Sequence, residues 1–286
     1  MIGARFEEEG RRSLRRWKAQ GEIAAHHKIG NRRNKRSKKA WLTLITPTDM
    51  TLRHESSRQV TVPASPAIRH CAGLLRPRLD GTKALAGAVV GCGKGDEVVF
   101  LQGELQTPCV VGLDLTPGFS PAARAGAKLI LADAKQLPFS PSAFDFVVSI
   151  HSLEHVGDPV VALAEITRVL RPGGWFYVGV PNRRRLVGYL GSFDATLWQR
   201  LTWNLLDYGQ RLRGRFKNEL GGHVGFTSEE LIHLLSVYFT NVQLLTEDYV
   251  RFKYEGRLPR RLLNLLLRPK VMNYSVPAHY ALCQKK

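Results

Sequence analysis

A glycine-rich turn at Val89–Gly95 constrains the fold of this chain more than any other feature of its sequence. Two β-branched residues lead into three glycines at alternate positions, as in a buried strand that turns sharply. The glycines are Gly91, Gly93 and Gly95. Because glycine lacks a Cβ atom, it can adopt positive φ angles and let a ligand rest against bare backbone. Asp96 and Glu97 follow and suit the first turn of a helix, whose free N–H groups would face the same ligand.

Four further apolar runs repeat the strand-like pattern of the first. Each run is short, nearly unbroken and rich in β-branched or aromatic residues, which is typical of parallel strands covered on both faces. The runs occupy residues 109–113, 128–132, 144–150 and 175–180. A segment with helical periodicity, Val160–Leu170, precedes the last of them. The pattern predicts an α/β fold with a doubly wound parallel sheet.

Polar residues stand directly after three of these predicted strands. Asp114 follows the second strand, and His151 follows the fourth. Asp133 and Ala134 follow the third, where an acid could accept a hydrogen bond from an adenine amino group. An acid at the tip of the second strand typically accepts hydrogen bonds from ribose hydroxyls. Because ligands in such sheets bind outside the carboxyl ends of the strands, the sequence predicts a nucleoside-like ligand at this edge.

Five segments in this order resemble the class I S-adenosylmethionine-dependent methyltransferases. They are Gly91–Gly95, Leu113-Asp114, Ala132–Ala134, Phe144–His155 and Val160–Gly174. The Leu153-Glu154-His155 step is similar to that of the small single-domain members. The resemblance covers residues 84–182 and returns weakly at 222–228. It implies a Rossmann-like sheet of seven mostly parallel strands with helices on both faces, closed by strands at 241–246 and 280–283 with an antiparallel C-terminal strand.

The resemblance also implies that the chain binds S-adenosyl-L-methionine and transfers its methyl group. The expected cofactor contacts are Gly91, Cys92, Gly93, Gly95, Asp114, Leu115, Asp133, Ala134 and His151. His155 is the candidate catalytic base, because imidazole ionises near neutral pH. His223 is a further candidate, and each histidine could instead be structural. No third ligand of suitable spacing accompanies His151 and His155, so no metal site is expected.

The sequence departs from the family pattern at one position, and two other functions stay open. The family usually has an acid two positions before the first glycine, where it helps to hold the methionine end of the cofactor, whereas this chain has Val89. Asp96 is the candidate to compensate, and a catalytically silent binding protein with the same fold is one alternative. A nicotinamide or flavin site is another, but its Gly-x-Gly-x-x-Gly fingerprint fails at Asp96.

The net charge of +18 lies on the two flanks of the candidate cofactor region. Residues 1–58 carry fifteen Lys or Arg against six Asp or Glu, and residues 183–286 carry seventeen against eight. Residues 59–182 carry ten of each. This asymmetry favours contact with RNA or an anionic membrane surface, although a solvated tail and face would have the same composition. An RNA or ribosome-associated target is therefore the alternative to a small-molecule or lipid-like acceptor.

The composition also predicts the domain organisation. We expect residues 1–58 to be a basic, disordered extension and residues 59–286 to form one methyltransferase domain. Within that domain, residues 84–182 would bind the cofactor. Residues 183–275 would form a substrate cap with insertions, and residues 276–286 would form the closing strand.

Several segments of the predicted cap have distinctive patterns. The leucine- and aromatic-rich stretch 186–216 predicts a helical insertion over the active site, or a cover for the sheet edge. Arg183-Arg184-Arg185 precedes it, where the family often contacts its substrate. Residues 257–270 are amphipathic, which suits packing on the core or contact with a membrane. Thr227 and Glu230 have the spacing of a capping box.

The spacing of the cysteines and the hydropathy of the chain indicate its cellular compartment. The four cysteines, Cys71, Cys92, Cys109 and Cys283, have no paired spacing for metal or redox chemistry and suit a reducing environment. No apolar run approaches the ~18 residues that span a bilayer. The sequence therefore predicts a cytoplasmic protein or one that is peripheral at a membrane surface.

Overall fold

The computed structural model describes residues 62–81, 85–189, 195–216, 218 and 224–286. Within these residues, helices cover both faces of a seven-stranded sheet. The predicted extension over residues 1–58 and the candidate His223 lie outside the described residues. The domain limits expected from the sequence stay predictions.

The sheet has the predicted Rossmann-like order. Its strands are β1 Gly87–Val90, β2 Val110–Asp114, β3 Lys128–Leu131, β4 Phe144–Ile150, β5 Leu170–Pro181, β6 Phe239–Leu244 and β7 Ala278–Lys285. They are ordered β3-β2-β1-β4-β5-β7-β6. β7 pairs antiparallel with β5 and β6, whereas the other pairs are parallel. The expected doubly wound, mostly parallel sheet with an antiparallel C-terminal strand is confirmed.

Nine α-helices are present in the described residues. They are α1 Pro66–Leu79, α2 Asp96–Glu104, α3 Pro121–Gly126, α4 Pro159–Val169, α5 Leu197–Leu212, α6 Ser228–Tyr238, α7 Thr246–Tyr254, α8 Arg260–Leu266 and α9 Pro269–Ser275. A short 3₁₀ turn, Leu153–His155, follows β4. The helix predicted directly after the glycine turn is therefore α2.

Alternate side chains of the central strands pack on opposite faces of the sheet. Val89, Val148 and Tyr177 form one row across β1, β4 and β5, and they pack in a buried cluster with residues of α1, α2 and α7. Val147 and Phe176 belong to the opposite cluster, which includes residues of α4 and α6. Because both faces are covered, the central strands need apolar residues at nearly every position.

Local signals place the helix ends close to where the sequence predicts them. The Thr227 hydroxyl accepts a hydrogen bond of 3.2 Å from the Glu230 N–H, and the Glu230 carboxylate accepts one of 2.9 Å from the Thr227 N–H. The capping box at the start of α6 is confirmed. The strand predicted at 241–246 is found as β6, two residues earlier, because Thr246 begins α7 instead.

The amphipathic segment 257–270 packs against the core. It contains α8 and the start of α9, with Leu263 and Leu267 buried and with Leu262 and Leu265 exposed. In the described part of the chain, no helix combines the length and apolar character needed to cross a bilayer.

Candidate functional site

The three glycines of the turn after β1 all have positive φ angles. Gly91 has a φ of 75°, and an added Cβ atom would lie 2.0 Å from Ser152 Oγ, so the turn packs against the loop after β4. Gly95 has a φ of 81°, and its added Cβ would lie 2.9 Å from Ala123 Cβ. Gly93 has a φ of 53°, and among the described residues no atom lies within 4 Å of its added Cβ. This open space lets a ligand rest against the backbone beside the start of α2.

Asp114, at the end of β2, holds the glycine turn in place. Its Oδ2 atom accepts a hydrogen bond of 2.8 Å from the Gly93 N–H. Its Oδ1 atom accepts bonds of 2.9 Å from the N–H and the hydroxyl of Thr116. Since a carboxylate offers about four acceptor positions, about one is left for a ribose hydroxyl. Asp114 therefore shapes the turn, a role that the sequence did not indicate, and ribose binding by its remaining acceptor position stays a prediction.

Cys92 contributes its backbone to the turn. The Cys92 N–H donates a hydrogen bond of 2.9 Å to the Leu113 carbonyl, next to the Gly91 N–H, which donates to the same oxygen at 2.8 Å. Burial and the nearby Asp114 carboxylate raise the pKa of the Cys92 thiol to about 12. The thiol is therefore protonated at neutral pH and unsuited to act as a nucleophile.

Residues after β2 and β3 form the neighbouring part of the same edge, because Ala132 N–H donates a hydrogen bond of 2.9 Å to the Asp114 carbonyl. Asp133 accepts a bond of 2.9 Å from the Lys135 N–H, which fixes the start of this loop. Ala134 packs partly against the core, and Leu115 is 70% exposed. An exposed leucine and an acid at one edge suit the flat face and the amino group of an adenine ring.

Two histidines after β4 face one buried acid. Glu154 Oε1 lies 3.9 Å from His151 Nδ1 and 3.8 Å from His155 Nε2. The Glu154 side chain has no exposed surface, whereas both histidine side chains are partly exposed. His151 has a φ of 52°, which is uncommon for a residue with a side chain and is found most often at functional sites. Sequence reasoning placed the histidines here but missed Glu154, whose burial only the fold reveals.

Val89 lies in the hydrophobic core, and a different acid approaches the same region. Val89 and Cys71 belong to one buried cluster, and the carboxyl group of Glu97, in the first turn of α2, lies close enough to raise the pKa of the Cys71 thiol further. Burial raises the pKa of Glu97, which also accepts a hydrogen bond of 2.7 Å from the Ser65 hydroxyl. Asp96, the candidate compensating acid, accepts a hydrogen bond from the Ser120 hydroxyl. Glu97 is thus an acid beside the buried cluster that contains Val89.

The arginine triplet after β5 forms internal ion pairs. Arg183 pairs with Glu230 at 2.6 Å, Arg184 with Glu229 at 3.3 Å, and Arg185 with Asp207 at 2.6 Å. These ion pairs join the loop after β5, residues 182–189 and called the β5 loop below, to α5 and α6. Within the described residues, no group of three or more His, Cys, Asp or Glu is placed to hold a metal ion.

Comparison with known proteins relates this site to a family. Residues 88–178 match the family model described as a methyltransferase domain. Demethylmenaquinone methyltransferase of Staphylococcus aureus (strain JH9) is 39% identical over 101 residues, which cover 33% of this chain and 41% of that protein. The chain thus spans about two fifths of the length of the curated relatives it matches.

Similar solved structures include two methyltransferases. A SAM-dependent methyltransferase from Thermotoga maritima has a TM-score of 0.43 and 20% identity, covering 77% of this chain and 92% of that one. The geranyl diphosphate C-methyltransferase of Streptomyces coelicolor A3(2) has a TM-score of 0.47 and 15% identity, covering 76% of this chain and 77% of that one.

The family match extends from β1 to β5 and so includes the strands and turns that build the candidate site. The order of the seven strands agrees with the fold that the sequence motifs imply. Residues 88–178, which build the candidate site, are therefore similar to a methyltransferase domain.

Proposed function

We propose that this protein transfers the methyl group of S-adenosyl-L-methionine to a small-molecule or lipid-like acceptor. The observation that carries the proposal is the contact between Gly91 and Ser152, which brings the glycine turn against the loop after β4. His151 and His155 belong to that loop. A ligand resting on the open backbone at Gly93 would therefore lie beside both imidazoles.

The residues at the edge of the sheet fit the parts of this cofactor. Asp114 has an acceptor position for the ribose hydroxyls, and Asp133 and Leu115 suit the adenine ring. Glu97 supplies the negative charge for the methionine ammonium group, in place of the acid that Val89 replaces. A partly buried carboxyl group with a raised pKa gains from a cationic partner, because the opposite charge offsets the cost of its desolvation.

When bound, the cofactor supplies an electrophilic methyl carbon on a sulfonium sulfur. His155 takes the proton that the acceptor must release, since its ring is partly exposed at the same edge. Glu154 lies within 4 Å of the rings of His151 and His155 and orients both of them. Its negative charge also stabilises an imidazole that has gained a proton. The protein then contributes alignment of the acceptor and removal of one proton.

Aromatic residues beside His151 favour an apolar acceptor. The Tyr280 ring meets the His151 ring edge-on at a centroid distance of 6.4 Å and packs on Tyr249 at 4.0 Å. Burial first, then interaction with neighbouring tyrosines, raises the pKa of Tyr280 well above its ordinary value, so this wall is neutral. A relative named for demethylmenaquinone supports a small-molecule acceptor for the same class of domain.

Calorimetric titration of the full chain with S-adenosyl-L-methionine tests the proposal. We expect saturable binding, followed by transfer of a labelled methyl group to apolar phenols or quinols. Absence of cofactor binding would favour the catalytically silent protein. If the protein binds the cofactor but transfers the labelled methyl group only to RNA, the proposed small-molecule or lipid-like acceptor would be wrong. The alternative, an RNA or ribosome-associated target, would take its place.

A second titration tests the role of Glu97. The Glu97→Gln variant should bind S-adenosyl-L-methionine more weakly than the unmodified protein, by about 1–3 kcal/mol, because the ammonium loses its charged partner. Its affinity for methylthioadenosine, which lacks the amino-acid part, should be unchanged. Equal losses for both ligands would show that Glu97 acts only through the structure of α2.

A further inference from the structure

Helix α5 presents an apolar stripe to solvent. The stripe consists of Leu197, Trp198, Leu201, Leu205, Tyr208 and Leu212, which are 43–90% exposed. At about 100° per residue, these six positions fall within a sector of about 100° on one side of the helix. No residue of α5 is buried. In a helix that packs on a core, such a stripe would face inwards.

A polar face of α5, next to one edge of the stripe, holds the helix on the protein. Asp207 pairs with Arg185, whose side chain is only 3% exposed. Asn204 accepts a hydrogen bond of 2.7 Å from the Gly188 N–H and donates one of 2.9 Å to the Gly188 carbonyl. Arg211 donates to the carbonyls of Arg183 and Arg185 at 3.1 and 3.0 Å. These contacts hold the polar face against the β5 loop and leave the stripe exposed.

An exposed leucine of the β5 loop extends the stripe. The Tyr208 hydroxyl donates a hydrogen bond to the Leu186 carbonyl, so Leu186, which is 57% exposed, lies beside the stripe. Tryptophan and tyrosine, which the stripe also contains, are favoured where apolar and polar surroundings meet, because their rings are apolar and their N–H or O–H groups are polar.

The positive charge around the stripe favours an anionic partner. Asp207 is the one acid of α5, and it is paired with Arg185. Arg213 and Arg215 follow the helix and are exposed. Residues 183–286 carry a net charge of +9 within a chain of +18. A second copy of the chain would bring a like charge to the same surface, whereas an anionic bilayer offers the opposite charge.

We propose that α5, with Leu186, docks in the plane of an anionic phospholipid bilayer, the stripe entering the headgroup region. The helix is about 24 Å long, which suits a helix lying along the surface. The β5 loop that anchors α5 begins at the carboxyl end of β5, on the same side of the sheet as the glycine turn. Docking therefore brings the candidate site to the bilayer, and it does not depend on methyl transfer.

Vesicle binding by the full chain tests the docking. The vesicles contain phosphatidylcholine with about one third phosphatidylserine. Binding is measured by co-sedimentation at about 0.5 M salt, where purely electrostatic attachment of basic segments is screened. The unmodified protein should bind, and the L201S/L205S variant should bind about tenfold more weakly or less, because two leucines lose their apolar contact. The matched control is I232S/V237S, which changes two exposed apolar residues of α6 and should bind like the unmodified protein.

Tryptophan fluorescence tests the docking at a single residue. Trp198 should show a blue-shifted emission on adding vesicles, and the Trp198→Phe variant should lose that part of the shift. Circular dichroism and thermal unfolding confirm that each variant is folded. Equal binding by L201S/L205S and the unmodified protein, or no binding by either, would overturn the proposal. A dimer in sedimentation velocity that only L201S/L205S dissociates, without vesicle binding, would assign the stripe to a second copy instead.

Discussion

The edge of the sheet at the glycine turn and helix α5 use apolar residues in opposite ways. Around the turn, the apolar residues of β1, β2 and β4 are buried and the polar residues stand at the strand ends, open to a ligand. In α5, the polar residues contact the protein and the apolar stripe is exposed. The edge lies in a segment without net charge, whereas α5 lies in one of +9.

The comparison shows that an amphipathic pattern gives a helix one apolar and one polar face. The pattern does not determine which of the two faces packs against the rest of the protein. The central strands bury their side chains because both faces of the sheet are covered. Helix α5 is oriented by Asn204, Asp207 and Arg211, whose partners lie in the β5 loop. Strong polar contacts to buried partners can therefore outweigh the usual inward orientation of a stripe.

The largest expected effect concerns the buried ion pair that orients α5. Arg185→Ala should lower the free energy of unfolding of this region by about 3–5 kcal/mol, because Asp207 would lose its partner in a largely buried position. Hydrogen exchange of α5 and thermal unfolding measure the loss. Arg184→Ala is the matched control, since its pair with Glu229 is exposed and is worth about 0–1 kcal/mol. Similar losses in both variants would show that the buried pair does not orient the helix.

The next effect concerns acid stability of the sheet. Burial lowers the pKa of His279, on β7 beside Thr246, to about 4 from 6.5. The unfolded chain therefore binds more protons below pH 6.5, and stability should fall as the pH drops from 6.5 to about 4, by at most about 3 kcal/mol. His279→Gln should flatten this part of the profile of unfolding free energy against pH. The exposed His233→Gln should not, and an unchanged profile in His279→Gln would contradict the assignment.

The third effect concerns the acid at the end of β2. Asp114→Ala should weaken cofactor binding by about 1–3 kcal/mol, because ribose hydroxyls and the Gly93 N–H lose an acceptor. Calorimetry with S-adenosyl-L-methionine and with methylthioadenosine should show similar losses, since both ligands contain the ribose. Thr116→Val removes only one hydrogen bond to the same carboxylate and should cost less. Unchanged affinity in Asp114→Ala would count against the ribose contact.

The smallest effect on stability separates Gly93, the proposed ligand-facing glycine, from Gly256, which lies outside the candidate site. Gly93→Ala and Gly256→Ala each place a side chain at positive φ with open space around it, so each should lower the unfolding free energy by about 1 kcal/mol. Only Gly93→Ala should also weaken cofactor binding, because its methyl group enters the space above the turn. Equal affinities in the two variants would remove Gly93 from the proposed contacts.

Much of the sheet and of the cofactor edge could be predicted because their signals are local. Apolar runs of strand length, glycines at alternate positions and the Thr227–Glu230 box depend on neighbours in the chain. The structure bears out the predicted strands, the helix at Asp96 and the position of His151 after β4. It does not test the cofactor contacts or catalysis by His155, which stay proposals.

Other features depend on residues that are distant in the chain. The partners of Arg183, Arg184 and Arg185 lie 22–47 positions away, so sequence reasoning could only place the charges after β5. The surroundings of Glu97 also come from distant parts of the chain. They include Ser65, which precedes α1, and side chains of β5 and β7. The burial of such groups follows from the packing of distant segments, so no periodic pattern in the sequence predicts it.

The sequence by itself predicted the succession of strands and of the helices between them, the edge of the sheet where the glycine turn lies and a helical segment within residues 186–216, because side-chain periodicity and turn chemistry act over a few residues. Only the tertiary structure decided that Asp114 holds the glycine turn, that Glu154 lies between two histidines and that the stripe of α5 faces outwards. The physical reason is that hydrogen bonds and ion pairs between distant segments form only once packing has brought them together, and they then select one face of each element.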